Sequence, residues 1–150
     1  MLRFVRLAIV VFLSLFVGCS DTTGPVTLAL NRARWETQNL HEYLYTGRMV
    51  CFCPNSGQDV YVLVLADTVF SARVVGTAVE LPKGQWLTVD QLFDLAQRSY
   101  GGEGYVERVR VEYHPELGSP TFIELSCSPN IADCGMTIEI KNLGPLAFMN

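Results

Sequence analysis

The chain has 150 residues, with eleven Lys and Arg against fifteen Asp and Glu and a formal net charge of −4. The apolar fraction of 49% is raised by one run near the N-terminus and does not describe a membrane domain. No basic stripe accompanies the acidic balance, which argues against nucleic acid as a partner.

Met1 to Arg6 carries two arginines, and Leu7 to Val17 is apolar apart from Ser14. This is a charged n-region and an apolar h-region of secretory length, too short to span a bilayer comfortably. It closes on Phe16-Val17-Gly18-Cys19, the form in which lipoprotein signal peptides end, with Phe16 where Leu is usual. Residues 1–18 are thus expected to be a lipoprotein signal peptide, and Cys19 to carry a diacylglycerol anchor with palmitate-type acyl chains. An unlipidated secretory signal or an uncleaved anchor is the alternative. Residues 19–25, Cys19 through Ser20-Asp21-Thr22-Thr23-Gly24-Pro25, read as the lipidated Cys and a short flexible tether.

Residues 26–150 make one domain by length. Cleavage would remove Arg3 and Arg6, leaving nine basic against fifteen acidic residues and a net charge of −6.

Val26 to Leu40 reads as a helix, with Leu28, Trp35 and Leu40 on one face beside Ala29 and Ala33. A β-type stretch from Tyr43 to Cys53 ends at the turn signal Pro54-Asn55-Ser56-Gly57. Val60 to Leu65 and Val69 to Val75 form a hairpin about Asp67-Thr68, and Gly76 to Gly84 is loop. Thr88-Val89-Asp90-Gln91 is a capping box, opening a second helix whose apolar stripe is Val89, Leu92, Phe93 and Ala96 and whose end is Gly101-Gly102. Arg108 to Tyr113 alternates as a strand, His114 to Gly118 reverses the chain, and Thr121 to Cys127 returns. Met136, Ile138 and Ile140 mark a final strand. The fold class is α+β: two helices on one face of an antiparallel sheet of five or six strands, in the order α-β-β-β-α-β-β-β, with a suggestion of two similar halves.

Trp35, Tyr43, Tyr45, the Cys51-Phe52-Cys53-Pro54 block, the Thr88-to-Phe93 helix start and Val111 to Thr121 follow one another in an order that covers most of residues 30 to 143. In these the chain resembles DUF6174, a family of uncharacterised bacterial lipoproteins. The resemblance implies an exported α+β domain and no particular activity. It departs at Cys127 and Cys134, where family members carry acidic or polar residues.

With Cys19 taken by lipid, Cys51, Cys53, Cys127 and Cys134 remain, an even number for an oxidising compartment, with three pairings open. A Cys127–Cys134 bridge would staple a hairpin. A Cys51–Cys53 bridge needs distorted backbone, because ideal strand geometry holds those Cα atoms near the limit of bridging range. Two structural disulfides are the main expectation. A reducible Cys51–Cys53 pair is the sharper one, with Arg48 the only cation placed to lower a thiol pKa. The spacing fits a four-thiolate zinc site poorly. His41, at the end of the first helix, and His114, before Pro115, read as surface residues. Ser56-Gly57 and Gly101 to Gly104 do not sit where nucleophile or phosphate-loop motifs need them. Glu112, Glu124 and Glu139 form either an acidic patch or a solvated face paired with Arg110.

The expectation for function is a cell-envelope lipoprotein acting as a non-enzymatic binding or structural module. No catalytic residue, metal ligand or cofactor is assigned. Its partners are the membrane, through lipid, and an envelope protein met by a sheet face or edge. The periplasmic side of an outer membrane is favoured over an inner membrane. The alternative is a thiol-redox or metal-handling protein working through Cys51 and Cys53.

Overall fold

The Thr88 hydroxyl accepts a hydrogen bond from the Gln91 amide at 3.2 Å, and the Gln91 side chain accepts one from the Thr88 amide at 2.9 Å. This capping box satisfies two orphan donors and fixes the start of α2 (Val89–Tyr100). Val89, Leu92, Phe93 and Ala96 are all buried, as their spacing predicts. The computed structural model describes residues 24–146 apart from 103 and 132. The signal-like run, Cys19 and residues 20–23 lie outside the described residues.

The first helix, α1 (Pro25–Glu36), opens with proline at a position that needs no amide partner. It stops short of the expected Leu40. The Gln38 and Asn39 amides bond to the carbonyls of Trp35 and Glu36 in tight turns, and Asn39 takes a φ of 51°. Leu40 still packs against the core, from this reversal rather than from the helix. Leu28 and Trp35 face inward, but Ala29 and Ala33, which periodicity groups with them, are exposed. Arg32 joins the helices, its Nη1 2.8 Å from the Asp94 carboxylate and its guanidinium over the Phe93 ring.

Six strands follow: β1 (Tyr43–Cys51), β2 (Asp59–Leu65), β3 (Thr68–Val74), β4 (Val106–Tyr113), β5 (Pro120–Cys127) and β6 (Met136–Pro145). They form one antiparallel sheet in the order β3-β2-β1-β6-β5-β4. Each helix is thus followed by a three-stranded meander, and the two meanders join through the first and last strands. The inward row includes Tyr43, Tyr45, Val60, Val62 and Val64 in the first half and Val111, Ile123, Leu125, Ile138 and Ile140 in the second. Burying each such aliphatic side chain stabilises by about 1.5–3 kcal/mol.

α2 lies against β4 and β5. Over the first half, the segment between β3 and α2 does the covering. It contains a short 3₁₀ turn at Lys83–Gln85, and its Leu81 and Trp86 are buried. The expected loop is therefore part of the core wall. Gly47 makes this fit possible, since a Cβ there would lie 2.7 Å from the Trp86 ring.

Candidate functional site

β1 ends at Cys51, two residues earlier than the sequence suggests. The Cys51 amide donates to Ser56 Oγ at 3.1 Å, and the Gly57 amide to the Met49 carbonyl at 2.7 Å, so the chain turns back at once. The turn draws the Cα atoms of Cys51 and Cys53 to 5.2 Å, inside bridging range, and the two are paired. Cys127 pairs with Cys134 across 5.9 Å. Of the three pairings open on sequence, the structure holds the one made of two local bridges.

Register brings the pairs to one end of the sheet. Cys51 lies opposite Met136 of β6, and Met136 lies opposite Leu125 of β5. Cys51, Cys127 and Cys134 line an open groove of about 590 Å³, whose lining also includes Val50, Phe52, Glu124, Ser126, Ile131 and Thr137. Val50, Glu124, Ser126 and Thr137 alternate with inward residues, so the groove opens on the sheet face away from the core. Phe52, between the paired cysteines, is 81% exposed.

Charges on this face are matched both across strands and along them. Arg48 donates to both carboxylate oxygens of Asp59, at 2.8 and 2.9 Å, which holds the Asp59 carboxyl below its usual range and raises the guanidinium's own pKa. The cation that sequence places near Cys51 is therefore committed to a carboxylate. Arg110 pairs with Glu112 and, at 3.8 Å, with Glu124, and it lies over the Phe122 ring. Lys141 Nζ is 2.8 Å from the Glu139 carboxylate. The glutamates thus belong to a solvated, paired face rather than to an acidic patch.

Both histidines have partners that their sequence positions do not reveal. His41 lies beyond the helix end, with Nδ1 2.9 Å from the Asp67 carboxylate and Nε2 3.2 Å from Asn39 Oδ1. His114 Nδ1 accepts from the amides of Glu116 and Leu117, both at 3.2 Å, and so caps its own turn. Ser56 accepts the Cys51 amide, and the Gly101 and Gly102 amides close α2 on Gln97 and Ser99. Trp35, Tyr43, Tyr45 and Phe93 are buried as expected. Tyr113 is half-buried and stacked on Phe93 at 6.3 Å. Burial pushes the hydroxyl pKa values of Tyr43, Tyr45 and Tyr113 well up, so these phenols stay neutral.

Among the described residues, no group of three or more His, Cys, Asp or Glu is placed to hold a metal ion. No helix among them is long and apolar enough to cross a membrane. No curated protein and no solved structure matches the chain. The model of the family of unknown function DUF6174 matches residues 27–145, from the first turn of α1 to the end of β6 and across the groove and both cysteine pairs. On that extent the chain belongs to the DUF6174 family.

Proposed function

We propose that the chain is a cell-envelope lipoprotein, held by lipid on Cys19, whose domain is a non-enzymatic binding module for another envelope protein. The observation that carries this reading is the placement of both cysteine pairs around one groove on the open sheet face. Cross-linked rims lose little freedom on binding, so the surface is pre-organised. Phe52 supplies a large apolar contact of the kind that dominates interface energetics. Val50 and Ile131 extend the apolar surface, and Ser126 and Thr137 offer hydroxyls to a partner's backbone. The engagement of Arg48 with Asp59 weighs against the thiol-redox alternative, since it leaves that guanidinium bound to a carboxylate.

Photocrosslinking from position 52 in the membrane-anchored protein tests the binding reading. One discrete adduct is expected, lost when Cys127 and Cys134 are both replaced by serine. Diffuse adducts or none would reject it. Intact mass of the membrane-extracted protein tests the anchor. Lipid on Cys19 is expected, with four further cysteines that alkylate only after strong reduction. A Cys51–Cys53 pair opening under mild reductant would move redox chemistry to the front.

A further inference from the structure

The outward side of α1 is apolar where a surface helix is normally polar. Val26 and Leu30 point away from the core and are exposed, and beside them the exposed Pro25, Ala29 and Ala33 continue the apolar surface to the cleft with α2, while Leu28 and Trp35 bury the opposite side. Val26 and Leu30 are one turn apart and 75% and 66% exposed. Over its first three turns the helix has an apolar face towards the core and a second one away from it.

Chain length indicates what lies against the second face. Between Cys19 and Pro25 there are six peptide steps, a reach of roughly 20 Å at full extension. A lipid on Cys19 therefore keeps the first turn of α1 within that distance of the headgroups. The excess of acidic residues gives little attraction to anionic lipid, so any contact must be apolar. We infer that the outward face of α1, centred on Val26 and Leu30, seats in the interfacial layer of the bilayer that holds the lipid anchor. This inference rests on the anchor reading proposed above. It adds to the tether a second attachment that orients the domain, as amphipathic helices do when they lie in the interface plane.

The test uses full-length lipidated protein in phosphatidylcholine vesicles, with and without brominated acyl chains. Leu30→Trp is compared with Val79→Trp, a control at a residue 56% exposed in the segment after β3. Native Trp35 and Trp86 are buried and give a constant background. Intact mass reads the lipid on Cys19 in the same samples. With lipid present, Leu30→Trp emission is expected to shift to the blue and be quenched by the brominated chains, and that of Val79→Trp is not. If the two behave alike, α1 has no preferred contact with lipid and the inference fails while the anchor stands. If Leu30→Trp is shielded from aqueous acrylamide yet unquenched by brominated lipid, protein covers the face, and the inference also fails. A chain without lipid overturns the anchor and this inference together.

Discussion

The phenolic oxygen of Tyr43 accepts a hydrogen bond from the Val89 amide at 2.9 Å, so a strand of the first half closes an orphan donor at the start of the second half's helix. Tyr45, two residues on, donates from its hydroxyl to the Leu87 carbonyl at 2.5 Å. The pair locks β1 to the approach and first turn of α2.

Tyr43→Phe should destabilise the domain by about 1–3 kcal/mol, because it leaves a buried amide without a partner. Tyr45→Phe should cost about 1 kcal/mol, as a carbonyl tolerates the loss of one donor better. Chemical denaturation of both variants measures the difference. Equal and negligible losses would mean that water reaches the Val89 amide.

Gly118→Ala should be among the most damaging single changes. Gly118 has a φ of 76°, and a Cβ there would run into the Asn31 carbonyl and come within 2.9 Å of the Arg34 Cβ. Left-handed strain of about 1–2 kcal/mol adds to about 1–3 kcal/mol of overpacking. A drop in Tm larger than that for Gly57→Ala, which shares the left-handed φ at 79° but has open space, is the expected result, and the excess reads the overpacking.

Asp59 and Asp90 should tilt stability with pH in opposite directions. The Arg48 hydrogen bonds hold the folded pKa of Asp59 below the ordinary 3.8. Its contribution is therefore present above 3.8 and lost as pH falls through the lowered value. Burial raises the folded pKa of Asp90, against the attraction of Arg32 and a hydrogen bond from Trp35. Its contribution is complete below 3.8 and lost as pH rises through the raised value. Asp59→Asn should flatten the acid limb of a stability-against-pH curve. Asp90→Asn should remove the decline just above 3.8.

Replacing Cys127 and Cys134 by serine should cost more than replacing Cys51 and Cys53. The bridged residues are seven apart in the first pair and two in the second. Loop-closure entropy then gives about 2.5 and 1.5 kcal/mol, respectively. Urea titration of the two double variants, in oxidising buffer, compares them.

What could be read from the sequence was what local chemistry fixes. The start of α2 is written in Thr88 and Gln91, and the strands in their alternation. The end of α1 was misplaced because Leu40 packs on the core from a reversal set by Asn39, which helical periodicity cannot distinguish from another turn of helix. The outward apolar face of α1 was hidden for a related reason: Ala29 and Ala33 fit the inner stripe as well as the outer one. The cysteines were legible as candidates, but the groove they frame was not. It exists only because β1 pairs with β6, a contact between residues as distant as Tyr43 and Pro145. The partners of His41 and His114 escaped for the same kind of reason, as Asp67 comes from another hairpin and the amides from backbone geometry.

That central pairing also sets an order of events in folding. Each meander can close on neighbours in sequence, but β1 and β5 each keep an open edge until the last strand fills the space between them. A chain emerging N-terminus first cannot complete its sheet until the segment through Pro145 is free, so the slow step is the late, non-local insertion of β6. Loss of the segment from Met136 onward would then leave two sticky half-sheets, and self-association rather than a smaller stable domain.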